Sequence, residues 1–442
     1  MATPPKHLRV LRPFVLGAIL AGTGGSLLGY VLLERSQWSL SGPAWPLSQV
    51  HGQLQLFGFL LPFITGFAFF LVPRLAGGQP VTLRAATWTS LTAFAAGLLL
   101  TAWAPFTHGG LSVWVRALDG LSVAVATVCA ALALHGPVAR FAATLGGRRN
   151  AGYLWFFEVS LASLVLAGVA DAVGMWRSNG TPLPLLDEPW ASAAWRLALE
   201  GFGVGMALGV AARMFTGFLG IAPDRAYPAP HSAYKRDPAT ARVFWICVAC
   251  WGASVALTSA GELFVVPHVV RAGALLFAAG VIPLSFRLGL ARVAGRLAID
   301  RGQDPLFPFG ARAAFALLVV ASFVGAIAAV CAGFGLRVSP AWVDVRRHLL
   351  ALGFLMTLIA TMAGRLASGF ARRPFFGRWL RTLAMAAFPL AALLRMGEGI
   401  ATQWGLPAWL KVSAASGPVA LVAFAALFAG LAATLVQARN AG

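Results

Sequence analysis

Apolar residues come in twelve long runs, near 12–33, 51–73, 85–104, 112–135, 152–175, 190–217, 243–264, 268–290, 312–335, 345–369, 379–400 and 413–437. Runs of about 20 apolar residues match the length a helix needs to cross a bilayer. Barrel strands would be about ten residues long and would alternate strictly, and these Ala-, Leu-, Gly- and Val-rich runs do not alternate. A backbone in lipid must satisfy its own hydrogen bonds, which a helix does locally. The connections are short. The longer ones, 219–241 and 291–311, hold Pro, Gly and charge, as solvated loops do. The pattern predicts an all-α fold: a polytopic bundle of about twelve transmembrane helices, forming a single integral-membrane domain over residues 1–442.

Composition points the same way. The chain is 59% hydrophobic and only 11% charged, where a soluble domain carries roughly 25% charged residues. The first run lacks a small-residue cleavage site followed by a polar domain, so it reads as a retained helix. Charge adds a direction. With the N-terminus placed in the cytoplasm and the runs alternating, 24 of the 34 Lys and Arg and 5 of the 14 acids fall on the cytoplasmic side. This is the asymmetry of a bacterial inner-membrane protein with both termini inside. It accounts for the net charge of +20 through contact with anionic lipid headgroups, without a nucleic-acid partner.

The four cysteines (Cys129, Cys247, Cys250, Cys331) all lie within apolar runs. Cys247-x-x-Cys250 has no second pair, so packing is the expected role rather than a disulfide or metal. A short repeat relates Arg196–Phe218 to His348–Phe370. Each has Gly-Phe one turn in and a basic, Gly-Phe-terminated cytoplasmic end.

Candidate chemistry rests on histidine. His51, His268 and His348 each open a run at the outer face, and His108 lies in an outer loop. Ionisable groups inside a membrane helix mark functional positions, and neutral imidazole ligates iron and copper. Two histidines on facing helices could hold a haem from both sides. Arg346 and Arg347 precede His348, and Arg196, Arg271 and Arg395 lie at the same level. Arginine on the side where it is otherwise scarce suits haem propionates. The plainer alternative for each histidine is a hydrogen-bonded cap or a headgroup contact. Arg116 with Asp119, Arg196 with Glu200, and Arg395 with Glu398 have the spacing of local ion pairs. Glu158 stands alone in the inner part of its run.

The segment His51–Gly77, HGQLQLFGFLLPFITGFAFFLVPRLAG, resembles helix 2 of the catalytic subunit of haem-copper oxidases and nitric oxide reductases. In that helix the histidine is an axial ligand of the low-spin haem, and its partner ligand comes from helix 10. By run count, His51 opens the second helix and His348 the tenth. The whole chain resembles the NnrS family, twelve-span bacterial proteins linked to denitrification and nitrosative stress and reported to carry haem and copper. Arg12–Phe14 is similar to that family's opening R-P-F. His51–Phe59 resembles its H-x-H-E-x-L-F-G-F element, and Arg347–Phe354 its G-H-A-L-T-V-G-like element. Gln53 stands where the pattern has a second histidine, Leu54 replaces the acid, and Arg346 occupies the first position of the oxidase H-x-H. The sixth and seventh runs carry none of the copper histidines of the oxidases, so an oxidase-type binuclear centre is not expected.

The resemblance implies a b-type haem ligated by His51 and His348, with Arg346 and Arg347 on its propionates. Gly52, Gly58 and Gly353 would be small enough to let the macrocycle approach. It also implies a role in nitric oxide metabolism or electron transfer, with a redox partner or NO, and a copper at His268 with Gln53 or His108. The competing expectation is a twelve-helix secondary transporter without a cofactor.

Overall fold

The computed structural model describes residues 6–37, 44–75, 85–107, 109–143, 152–178, 187–218, 238–290, 306–371 and 374–437. The described residues are almost entirely helical and contain no strand. Among them are twelve helices long and apolar enough to cross a membrane. They are α1 (Leu11–Leu33), α2 (Leu47–Leu75), α3 (Ala85–Phe106), α4 (Gly110–Ala143), α5 (Tyr153–Arg177) and α6 (Glu188–Phe215). The series continues with α7 (Arg242–Leu263), α8 (Pro267–Leu288), α9 (Phe307–Gly333), α10 (Ala341–Ser368), α11 (Arg378–Trp404) and α12 (Ala408–Val436). The expected helices are all present. The clearest difference is α4, which continues past His135 and through Pro137 to Ala143. His135 is therefore an internal residue of that helix rather than its end.

Three helices stand apart by burial. The most apolar windows of α2, α6 and α10 are 83%, 78% and 67% buried, against 56% or less in the other nine. The same three share an interruption. Each widens into a π-helical stretch: Leu54–Leu60 in α2, Leu197–Gly203 in α6 and Leu349–Met356 in α10. Each stretch starts four residues before a Gly-Phe pair (Gly58-Phe59, Gly201-Phe202, Gly353-Phe354). It closes with an i→i−5 bond, from the Leu61 N–H to Leu56, from Val204 to Leu199 and from Thr357 to Leu352. The three phenylalanines are buried. The repeat seen between α6 and α10 in the sequence therefore has a third member in α2. The residue leading into the wide turn is polar in all three: Gln53, Arg196 and His348. π-turns are rare, and they recur where a helix re-aims functional side chains.

The chain divides into two compact units. The first comprises Met1–Phe141, Phe157–Gly205 and Thr258–Pro267. Its centre is α2, packed against α1 and α3 and touching the π stretch of α6. Between helices in lipid there is no hydrophobic driving force, so close packing has to hold them. Here aromatic edges and glycines supply it. Phe14 of α1 meets Phe69 edge-on at 5.4 Å and Phe94 at 6.4 Å. Gly66 leaves room for the Phe14 side chain, where a Cβ would come within 2.6 Å of it. Gly120 of α4 lets that helix close on α5, since a Cβ there would lie 2.7 Å from Ala172 Cα.

The second unit comprises Ala142–Phe156, Met206–Leu257 and His268–Gly442. In it α10 packs against α9 and α11, and α11 against α12. Phe315 links Phe215 (5.8 Å) to Phe354 (5.4 Å) through edge contacts. Phe388 and Phe424 join α11 to α12 at 4.9 Å.

Candidate functional site

His51 lies one turn before the π stretch of α2, and α1 forms its seat. Its Nδ1 is 2.7 Å from the carbonyl oxygen of Gly25. A carbonyl only accepts, so Nδ1 carries the hydrogen and Nε2 the lone pair. The ring rests on Gly29, where a Cβ would fall 2.5 Å from His51 Cε1. Gln55 fills the adjacent place, donating to Ser26 Oγ at 2.9 Å and leaving no space for a side chain at Gly25. The Gly25-x-x-x-Gly29 spacing of α1 is thus the groove that takes both polar side chains of α2. Small residues at that spacing are the ordinary device for close helix approach in membranes. The signal was present in the sequence, as GGSLLG, and went unread.

His348 is placed by a different device with the same result. Its Nδ1 lies 2.9 Å from the carbonyl oxygen of Asp344, one turn earlier, and 3.2 Å from the Asp344 carboxylate. Both acceptors fix the hydrogen on Nδ1 and leave the lone pair on Nε2. Asp344 is itself held by Arg395 at 2.8 Å, and Arg395 also reaches Glu398 at 2.8 Å. An imidazole whose second nitrogen donates to a carbonyl or carboxylate is oriented as metal-ligating histidines are, and its basicity is raised. His51 and His348 both have this arrangement, and each has the donor chemistry of an axial haem ligand. His51 belongs to the first unit and His348 to the second.

Arg346 and Arg347 share the N-terminal turns of α10 with His348. The Arg346 guanidinium is buried over the ring of Phe277, 4.9 Å from its centroid. Gly325 gives it room, since a Cβ there would be 2.7 Å from Arg346 Nε. Arg347 is half-buried. The other outer arginines are engaged locally. Arg196 pairs with Glu200 at 3.1 Å and Glu262 at 2.6 Å, and Arg271 donates to the carbonyl of Ala332 at 3.2 Å. Arg196–Glu200 and Arg395–Glu398 are the ion pairs their spacing predicts.

The surroundings of the remaining candidates are as follows in the structure. Gly52, Gly58 and Gly353 face protein rather than an open slot. A Cβ would meet Trp195 at 3.0 Å, Ala21 at 2.9 Å and Leu317 at 3.1 Å respectively. Their small size permits close helix packing in this structure. Glu158 is not alone: His135 Nδ1 lies 2.9 Å from its carboxylate. Arg116 donates to the Ser178 carbonyl at 3.0 Å, and Asp119 accepts from Thr101 at 2.8 Å, so their spacing does not account for either contact. Gln53, considered for copper, commits its amide N–H to Asp171 at 2.6 Å.

His268 is exposed at the start of α8, in the second unit, and His108 lies outside the described residues. Cys247 and Cys250 are free thiols. Among the described residues, no three His, Cys, Asp or Glu side chains come together as a metal site.

Two acids missed by sequence reading complete the picture. Asp344 orients His348, and its i, i+4 spacing was the available signal. Asp171 is buried in the first unit with Asp119, and no local spacing could have paired residues on different helices. No family model matches the chain, and no curated protein does.

Proposed function

We propose that this chain is an NnrS-like b-type haem protein of the bacterial inner membrane, in which His51 and His348 each serve as an axial haem ligand. The carrying observation is the shared tautomer: each imidazole spends its Nδ1 hydrogen on an oxygen of the protein, which leaves the lone pair on Nε2. The resemblance of His51–Gly77 and of the His348 turn to the ligand helices of the oxidases supports the same reading. A bound haem supplies one-electron transfer at its iron, and the role follows as electron transfer or the handling of nitric oxide, with a redox partner or NO at the outer side.

The protein's own residues do the positioning. The Gly25 carbonyl and Gly29 hold the His51 ring against α1. Asp344, braced by Arg395, holds His348 and keeps its hydrogen on Nδ1. Arg346 and Arg347, on the same turn as His348, are the partners for the propionates. Copper forms no part of this proposal. The charge asymmetry supports cytoplasmic N- and C-termini.

The test is the visible spectrum of the protein purified after expression with haem supplied. A Soret band that is present in the parent and lost in His51→Ala/His348→Ala supports the haem reading. A colourless parent protein overturns it.

A second reading has one observation in its favour. Gln53, Asp119 and Asp171 form a buried polar group among helices of the first unit, as the cation pathways of secondary transporters do. A colourless protein that moves a solute in proteoliposomes would establish the transporter.

A further inference from the structure

Two carboxylates are buried together in the membrane interior of the first unit. Asp119 of α4 and Asp171 of α5 are both 0% exposed. They lie on adjacent helices brought together at the next residue of each, where Gly120 abuts Ala172. Each acid has one hydrogen-bond donor: Thr101 Oγ1 to Asp119 Oδ2 at 2.8 Å, and Gln53 Nε2 to Asp171 Oδ1 at 2.6 Å. The second oxygen of each, Asp119 Oδ1 and Asp171 Oδ2, is buried and has no hydrogen-bond partner among the described residues. Four helices therefore supply the two acids and their two donors.

The surrounding charges do not neutralise the pair. Arg116, one turn outward on α4, donates to the Ser178 carbonyl. On α2, His51 donates to Gly25. On α5, Glu158 is with His135, and Arg177 is with Asp187 at 3.8 Å. On α6, Arg196 is taken by Glu200 and Glu262. No charged residue occurs in α3. Two ionised carboxylates side by side in low dielectric repel each other and lose their hydration. One proton removes both penalties, because a carboxylic O–H can donate to the neighbouring carboxylate. Each acid keeps one buried oxygen, Asp119 Oδ1 and Asp171 Oδ2, on which a proton can reside.

We propose that Asp119 and Asp171 act as one acid pair that holds a single shared proton and exchanges it with the aqueous phase at the α3–α4 end of the first unit. The pair changes from two negative charges to one when the proton binds, and no bond other than O–H forms or breaks. By the rise of a helix, the carboxylates lie roughly 9–14 Å along α5 and α4 from the ends of those helices. This inference uses no residue of the haem reading and stands whether or not haem is bound.

Infrared spectroscopy of the purified protein tests it. At neutral pH the parent protein should show a carboxylic-acid C=O band that shifts in D2O. The double variant Asp119→Asn/Asp171→Asn should lose that intensity, and Glu158→Gln should keep it. The thermal midpoint of the parent should fall as pH rises and the proton leaves, while that of the double variant stays flat. Band intensity unchanged by the double variant overturns the proposal. So does a parent midpoint raised by Na+ in place of choline at fixed pH, with the double variant unresponsive, since a metal ion would then hold the pair. Should the double variant fail to fold, Gln53→Leu serves instead. It removes the donor to Asp171 and must move the band, and an unmoved band overturns the proposal.

Discussion

The imidazole of His51 depends on a hydrogen atom that is absent from every other residue type: the second α-hydrogen of Gly29. A methyl group there would stand 2.5 Å from Cε1, closer than carbon atoms tolerate, so the ring has to leave the Gly25 carbonyl. Gly29→Ala should therefore cost most of the haem absorbance while the protein still elutes as a folded species, as size-exclusion chromatography with in-line spectra would show. Asp344→Asn makes the complementary test on His348. The backbone acceptor at 2.9 Å remains, so haem should stay bound. The weaker electron donation from the ring should raise the reduction potential, read by a redox titration. His51 and His348 stand out in the sequence as the proposed ligands from their place at the head of apolar runs. Gly25, Gly29 and Asp344 were not singled out, because a residue that supports a ligand leaves no compositional mark of its own. Only Asp344 had a local spacing to betray it.

At the scale of the helix, the twelve crossings were legible because length and apolarity fix a membrane span almost by themselves. The π-turns were not, since a wide turn does not change hydropathy. What the sequence did show was the Gly-Phe pair in α6 and α10. The third copy in α2 was hidden because its flanking residues, Gln53 and Gln55, differ from those around Arg196 and His348. Close approach between helices is also a property of the element rather than of a single side chain. At Gly120 the neighbour is backbone, 2.7 Å from a would-be Cβ, and backbone cannot rotate away. Gly120→Leu should destabilise the first unit by at least the ~1–3 kcal/mol usual for overpacking, seen as a lower thermal midpoint in detergent. Gly29→Ala, facing a side chain that can swing aside, should lower it less.

For the whole molecule, the twelve membrane-length helices among the described residues and the concentration of Lys and Arg underlie the proposal that both termini are cytoplasmic. Reporter fusions at either end should be active only with a cytoplasmic reporter, and a periplasmic signal from one end would mean a miscounted helix. The charge pattern was visible from the sequence because loops carry it. The buried acids were harder to interpret. Asp119 and Asp171 are 52 positions apart and meet only because four helices fold around them.

The wide turn of α2 has a further consequence for how this helix tolerates change in length. A π-turn is an α-helix with one residue too many, so deleting Leu56 would restore the ordinary winding. Everything on the N-terminal side would then rotate by about 100° and slide by about 1.5 Å relative to the rest of α2. The crossing would survive, and hydropathy would hardly register the loss, yet the face that now meets Gly25 would be turned elsewhere. One supernumerary residue thus sets the compass bearing of the outer end of α2.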